Sequence, residues 1–219
     1  MRPRTLTASA AGIALVPLLI LLGAGLLILL VLRWQPVAPP RLSQHVTLYP
    51  EPKPLPAFHL VNQRGNPVTP ADLRGHWSLL FFGYTHCPDV CPTTLGEMQQ
   101  VIRRWGPSPP SPPRMVFVSI DPGRDTPQRL ADYLGYFGES FLGLTGERAE
   151  IDRLAQSAGA FYQIHAPQAA GQAYRVDHSA GLTLVGPDAA IVALFPPPLE
   201  PSRLVKDLRE IMRYHEDTH

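Results

Sequence analysis

An α/β sandwich preceded by an apolar helix is the architecture that this 219-residue sequence predicts. Two kinds of segment predict the sandwich: short apolar runs typical of buried strands, and segments with apolar residues at three- and four-residue steps, typical of helices. Their order is strand, cysteine-bearing turn, helix, strand, helix, then an antiparallel hairpin and a last helix. This order matches a thioredoxin-like α/β sandwich with additional elements.

The N-terminal segment predicts a membrane anchor. No charged residue occurs from Thr5 to Leu32, a stretch long enough to cross a bilayer as a helix. Arg2 and Arg4 before it favour a cytoplasmic N-terminus. A cleaved signal peptide is the alternative, but its apolar region is normally shorter and followed at once by a cleavage site with small residues. We expect residues 1–34 to form a single-pass anchor in the inner (cytoplasmic) membrane, with the soluble domain in the periplasm.

A proline-rich linker is expected at residues 35–56, which lack apolar periodicity and repeat proline. The domain then covers residues 57–215. Sixteen of the 26 prolines gather at 36–56, 107–113 and 196–201, which indicates spacers and loops rather than a disordered protein. With 19 basic and 18 acidic residues the net charge is +1, so nothing favours nucleic-acid binding.

The elements of the domain are predicted from apolar runs and the turn residues between them. A small hairpin comes first, and the continuous apolar run at 115–120 is typical of a strand buried on both faces. The sequence Asp125-Thr126-Pro127 caps a helix, and residues 186–189 form a hairpin turn. We predict an exposed loop at 166–173, strands at 58–61, 67–69, 77–82, 115–120, 141–144, 161–165, 181–185 and 191–195, and helices at 92–105, 127–137, 147–158 and 201–214.

Both cysteines of the chain, Cys87 and Cys91, lie between a strand and a helix, with Pro92 in the first helical turn. A helix N-terminus favours the thiolate form of cysteine. The four-residue spacing can bring the sulfurs together as a disulfide or as two ligands of one ion. A structural disulfide or two buried thiols is the alternative, but so small a loop constrains little chain, and the flanking prolines predict an exposed loop.

A third group is His178, which the segment 174–180 places on a loop at a sheet edge, just before an apolar strand. A lone histidine on such a loop is usually solvated. Two sulfurs and one imidazole, however, form a soft ligand set that suits copper, especially Cu(I), over magnesium or calcium. From spacing alone both interpretations of His178 stay open.

Three motifs resemble the Sco (SenC) family of copper-binding cytochrome c oxidase assembly proteins: YTHCPDVCP at 84–92, SIDPGRDTP at 119–127 and VDHSAGLTLVGPD at 176–188. The likeness covers about residues 55–214. It implies a thioredoxin-like domain that binds one copper through Cys87, Cys91 and His178. It also implies a role in building the dinuclear copper centre of cytochrome c oxidase subunit II. A second copper chaperone and a membrane thiol reductant are the further partners expected.

Roles are also expected for four other charged residues of the motifs. Asp89 and Asp177 either orient the ligands through hydrogen bonds or cap local backbone. Asp121 and Arg124 are expected in a turn or a partner contact. Solvated side chains, rather than ligands, are expected for the remaining histidines that we considered: His59, His76, His86, His215 and His219.

Two main functions compete. One is a metallochaperone, not an enzyme, which passes copper to a recipient with more ligands. The other is a thiol-disulfide reductase that uses Cys87 and Cys91 to keep the recipient's cysteines reduced, and it does not need His178. A thiol peroxidase is a third and weaker alternative.

Overall fold

The structure is a computed structural model that describes residues 10–33, 38–43, 45–107, 109–165 and 174–218. The chain divides into two compact units, residues 1–40 with 213–219, and residues 41–212. In the first unit, helix α1 covers Ala10–Arg33. None of the helices in the described ranges combines the length and the hydropathy that a membrane span requires. The loop predicted at 166–173 lies outside the described residues.

The second unit includes residues 57–212 of the domain that was predicted at 57–215. Its strands are β1 Thr47–Pro54, β2 Leu60–Asn62, β3 Pro67–Val68, β4 Ser78–Gly83, β5 Arg114–Ser119, β6 Leu142–Gly146, β7 Tyr162–His165, β8 Arg175–His178, β9 Leu182–Val185 and β10 Ala190–Phe195. Its helices are α2 Val90–Trp105, α3 Pro127–Gly135, α4 Arg148–Ser157 and α5 Pro201–Thr218, the last of which starts in this unit.

Eight of these strands form one mixed sheet in the order β1-β10-β9-β4-β5-β6-β2-β3. The central strands β4, β5 and β6 run parallel, whereas β9 pairs antiparallel with β4. Every residue of β4 is buried, as expected for a strand covered on both faces. The thioredoxin-like α/β sandwich predicted from the sequence is therefore confirmed.

The structure differs from the sequence prediction at residues 47–54, which were expected to belong to the linker. They form the edge strand β1, which pairs antiparallel with β10 from Thr47 opposite Leu194 to Pro54 opposite Ala190. Proline lacks the N–H that a central strand needs, so prolines in strands are confined largely to edges. The alternating prolines of β1 hid its strand pattern and at the same time suit its place at the edge.

A second difference concerns residues 175–178, which were expected to form a loop. They form β8, which pairs antiparallel with β7 in a separate two-stranded sheet. We call β7 and β8 the histidine hairpin, because His178 ends it and lies opposite Tyr162. The polar sequence of β8 shows no apolar run, and the segment becomes a strand through pairing with β7, so its own pattern did not reveal it.

Candidate metal centre

The cysteines are positioned by the connection from β4 to α2. Strand β4 ends at Gly83, and its last carbonyl accepts a hydrogen bond from the N–H of Ile120, 2.9 Å away. The N–H of Cys87 then donates to the carbonyl of Tyr84, 3.2 Å away, which closes a turn. Helix α2 begins at Val90, two residues earlier than predicted. Cys91 therefore lies inside the first helical turn, and Cys87 lies in the loop before it.

The structure brings the three predicted ligand residues together. The Nε2 atom of His178 lies 3.3 Å from the Sγ of Cys91 and 3.9 Å from the Sγ of Cys87. All three ligand atoms lie within 4.8 Å of one another, and both cysteines are free. Among the described residues, these three form the only group of three or more potential ligands from His, Cys, Asp and Glu. We call them the triad.

The spacing of the triad fits one small metal ion. Ligands at bond lengths of about 2.0 to 2.3 Å around a trigonal or tetrahedral ion lie roughly 3.3 to 4.0 Å apart. The two sulfur-to-nitrogen distances, 3.3 and 3.9 Å, lie within that range. Two sulfurs and an imidazole, with no carboxylate, suit a soft ion such as Cu(I) better than magnesium or calcium.

The His178 ring is oriented by its neighbours. Its Nδ1 lies 3.0 Å from the carbonyl oxygen of Ser179, to which it donates. Its Nε2 is consequently the nitrogen directed at the sulfurs, as metal ligation requires. The ring also lies edge-on to Phe81 and Tyr84, with centroid separations of 5.9 Å in each case.

The two cysteines differ in charge state. The Cys91 thiol donates a hydrogen bond to Cys87 Sγ, and this is the main reason that the pKa of Cys87 falls to about 4. Hydrogen bonds from His178 and from the backbone N–H groups of Cys91 and Asp89 lower the pKa further, whereas burial raises it. The hydrogen bond to Cys87, together with burial, raises the pKa of Cys91 well above its ordinary range. The metal-free site therefore holds one thiolate and one thiol.

The loop before α2 is exposed, as predicted, but Cys91 at the start of the helix is buried. Cys91 is 0% exposed and Cys87 is half-buried, whereas Pro88 and Asp89 are exposed. The early start of α2 turns Cys91 inward, beneath the end of β4. A Cβ added at Gly83 would lie only 2.8 Å from Cys91 Sγ and 2.8 Å from Phe117 Cε2. Gly83, which sequence reasoning missed, is thus required to make room for the sulfur, and its place just before the cysteine turn was the available signal.

A buried carboxylate supports the loop from behind. Asp125 is 0% exposed and accepts hydrogen bonds from the N–H of Thr85 (3.0 Å), its hydroxyl (2.6 Å) and the hydroxyl of Ser119 (2.7 Å). It therefore ties the residue two positions before Cys87 to the end of β5. The sequence indicated only a helix cap here, and the side chain that caps α3 is Thr126. His86 has its Nδ1 3.8 Å from the Asp125 carboxylate.

The two predicted orienting aspartates do not contact the triad through their side chains. Asp89 is exposed, makes no side-chain capping bond, and affects Cys87 only through its backbone N–H. Asp177 is 59% exposed and binds His165 at 2.8 Å and Arg175 at 3.2 Å. Because side chains alternate along a strand, Asp177 points away from the face that carries His178.

Asp121 and Arg124 bind Tyr174, the residue immediately before β8. Arg124 forms an ion pair with the fully buried Asp121, and its guanidinium lies 3.6 Å from the ring centroid of Tyr174. Its Nη1 donates to the Tyr174 carbonyl at 3.4 Å, and the Tyr174 hydroxyl donates to Asp121. Both residues therefore hold the chain immediately before β8, in addition to forming the turn that the sequence predicted.

Comparison with known proteins agrees with this geometry. A family model described as SCO1/SenC matches residues 49–213. A protein of Stutzerimonas stutzeri named as a copper-binding protein is 38% identical over 168 residues, which cover 77% of this chain and 81% of that protein. The human mitochondrial SCO2 homolog is 37% identical over 159 residues, which cover 72% of this chain but only 58% of that protein. The crystal structure of Arabidopsis thaliana ScoI with copper bound is 31% identical, with a TM-score of 0.67, and covers 73% of this chain and 98% of that one.

Proposed function

The chain belongs to the SCO1/SenC family, and on that premise we propose that it is a membrane-anchored copper metallochaperone. Cys87, Cys91 and His178 are its copper ligands. The proposal rests on one observation: the two cysteine sulfurs and the imidazole nitrogen of His178 all lie within 4.8 Å of one another. Copper-bound relatives with the same fold support it.

The site is built for ligand exchange. Three ligands leave an open coordination position, and Cys87 and His178 are only half-buried. A recipient that offers further thiolates and imidazoles can therefore approach from the solvent side and replace these ligands one at a time. The recipient that we propose is subunit II of cytochrome c oxidase, whose dinuclear copper centre the chain helps to assemble.

Copper loading also involves a proton. Metal ligation requires thiolates, and the metal-free site holds Cys91 as a buried thiol. Binding of Cu(I) therefore displaces the Cys91 proton and leaves both sulfurs bound to the metal. We expect the apparent affinity to rise with pH because of this displaced proton.

The test is copper binding to the reduced full-length protein in detergent solution. We expect one Cu(I) per chain in the wild type, loss of tight binding in Cys87→Ser and Cys91→Ser, and at least about tenfold weaker binding in His178→Ala. His76→Ala, which alters an exposed histidine, is the matched control and should bind like wild type. Full affinity in His178→Ala would exclude the three-ligand site.

A second function, thiol-disulfide reduction, is favoured by the pairing of a half-buried thiolate with a buried thiol. In this reaction the Cys87 thiolate attacks one sulfur of a recipient disulfide and the other recipient sulfur leaves as a thiolate. Cys91 then attacks the mixed disulfide, so that the recipient becomes a dithiol and the chain a Cys87–Cys91 disulfide. A membrane thiol reductant restores the dithiol. Oxidase activity that survives His178→Ala but not Cys87→Ser in cells would favour this function over copper delivery.

Location in the membrane is part of the same proposal. We propose that residues 1–34 anchor the chain in the inner membrane with the domain in the periplasm. Membranes extracted with alkaline carbonate should retain the protein, and protease added to spheroplasts should digest the domain. Release by carbonate, or protection of the domain, would contradict the anchor or its orientation.

A further inference from the structure

The histidine hairpin is not an extension of the main sheet. In the described residues β7 and β8 pair only with each other, whereas the cysteines follow β4 at the centre of the eight-stranded sheet. His178 itself is close in sequence to β9, which pairs with β4. The strand opposite it, β7, has no partner in the main sheet, so side-chain contacts that fasten β7 to the rest of the domain contribute to the geometry of the triad.

One such contact involves Arg148, the first residue of α4. Its Nη1 donates to the carbonyl of Ile120 at 2.6 Å and to the hydroxyl of Tyr162 at 3.0 Å. The Tyr162 hydroxyl in turn donates to Asp152, one turn along the same helix. Ile120 follows β5 directly, and its own N–H bonds Gly83 at the end of β4. Arg148 thus connects the hairpin to the point from which the cysteine loop departs.

Tyr162 links Arg148 to His178. The two lie directly opposite each other in the antiparallel pair, so their side chains stand on the same face with Cβ atoms about 5 Å apart. One side chain reaches the sulfurs and the other reaches Arg148. A shift of Tyr162 therefore shifts the backbone that carries the imidazole.

We propose that Arg148 is a positioning residue which, through Tyr162, holds the His178 imidazole at the two sulfurs. The expected effect on copper affinity rests on the proposed function, whereas the effect of Arg148 on the position of the His178 ring is independent of that function. Arg148 makes no direct contact with either cysteine. Tyr162→Phe leaves the bond from Arg148 to the Ile120 carbonyl in place, so this variant isolates the effect of Arg148 on the nitrogen ligand.

The test compares Arg148→Gln and Tyr162→Phe with the matched control Arg153→Gln in the full-length reduced protein. Arg153 lies on the same helix but binds Ala57 and Glu150 instead of the hairpin. Tyr162→Phe removes only a hydroxyl, so it preserves the fold if Arg148→Gln does not. In metal-free protein, we expect the imidazole proton resonances of His178 to move toward those of an exposed histidine in both test variants and to stay unchanged in the control. Unchanged resonances in both test variants would overturn the proposal, whether or not the protein binds copper.

Copper affinity gives the second readout. We expect Arg148→Gln to weaken Cu(I) binding by about tenfold, Arg148→Lys to restore part of the loss, and Arg148→Gln to have no further effect in the His178→Ala background. An equal loss in both backgrounds would show that Arg148 acts on the metal by another route and would overturn the proposal. If the wild type binds no copper while the His178 resonances still shift, the proposed function fails and the positioning role stands.

Discussion

Gly83→Ala tests how closely the backbone packs on the buried sulfur. Non-bonded carbon atoms prefer separations of about 3.5 to 4.0 Å, but the added methyl would lie 2.8 Å from both Cys91 Sγ and Phe117 Cε2. Cys91 and Phe117 are each 0% exposed, so neither can move into solvent. Overpacking of this kind costs about 1 to 3 kcal/mol, which corresponds to a fall in Tm of about 2 to 12 °C for a protein of this size.

The measurement is thermal unfolding of the reduced protein by circular dichroism, followed by Cu(I) competition. We expect Gly83→Ala to lower both Tm and copper affinity, because the Cys91 sulfur must shift. Gly96→Ala, in the interior of α2 with no atom within 4 Å of the added methyl, is the matched control and should gain about 0.5 to 1 kcal/mol. A Gly83→Ala protein with wild-type Tm and copper affinity would refute the close packing.

Further predictions concern charge and the buried network. Alkylation of Cys87 by iodoacetamide should titrate with a midpoint near pH 4, and Cys91→Ala should raise that pKa because it removes the main donor. Folding lowers the pKa of Cys87 from its ordinary 9.0. The Cys87 thiolate therefore stabilises the folded protein fully above about pH 9, and this stabilisation is lost as the pH falls toward 4. The wild type and Cys87→Ser should consequently have similar Tm values at low pH. Asp125→Ala should cost about 1 to 3 kcal/mol because it leaves the Thr85 N–H buried and unpaired, whereas Asp132→Ala, at an exposed site, should cost little in the same melting assay.

Local pattern predicted those elements whose own residues determine them. The apolar run that became β4, the amphipathic stripe of α2 and the proline tolerated in its first turn were all visible in the sequence. The two cysteines could be recognised as a pair because they lie only four positions apart in the sequence. The third member of the triad needed the family motif, since nothing near His178 in sequence reports the distant sulfurs.

Contacts with other segments of the chain explain what the pattern within a single segment missed. Strand β8 exists because it pairs with β7, and its alternation turns Asp177 outward, so the aspartate beside His178 does not orient it. The repeated prolines of β1 conceal its strand pattern, and the segment is a strand because it pairs with β10 at the edge of the sheet, where proline is tolerated. Asp125 looked like a helix cap, whereas its partners come from two other segments of chain.

X-ray absorption of the reduced protein loaded with one Cu(I) per chain tests the central claim, that the fold brings one imidazole and two sulfurs to a single copper. We expect a first coordination sphere of two sulfurs and one nitrogen, with the nitrogen lost in His178→Ala and kept in His76→Ala. A wild-type spectrum without nitrogen, or one that His178→Ala leaves unchanged, would contradict it.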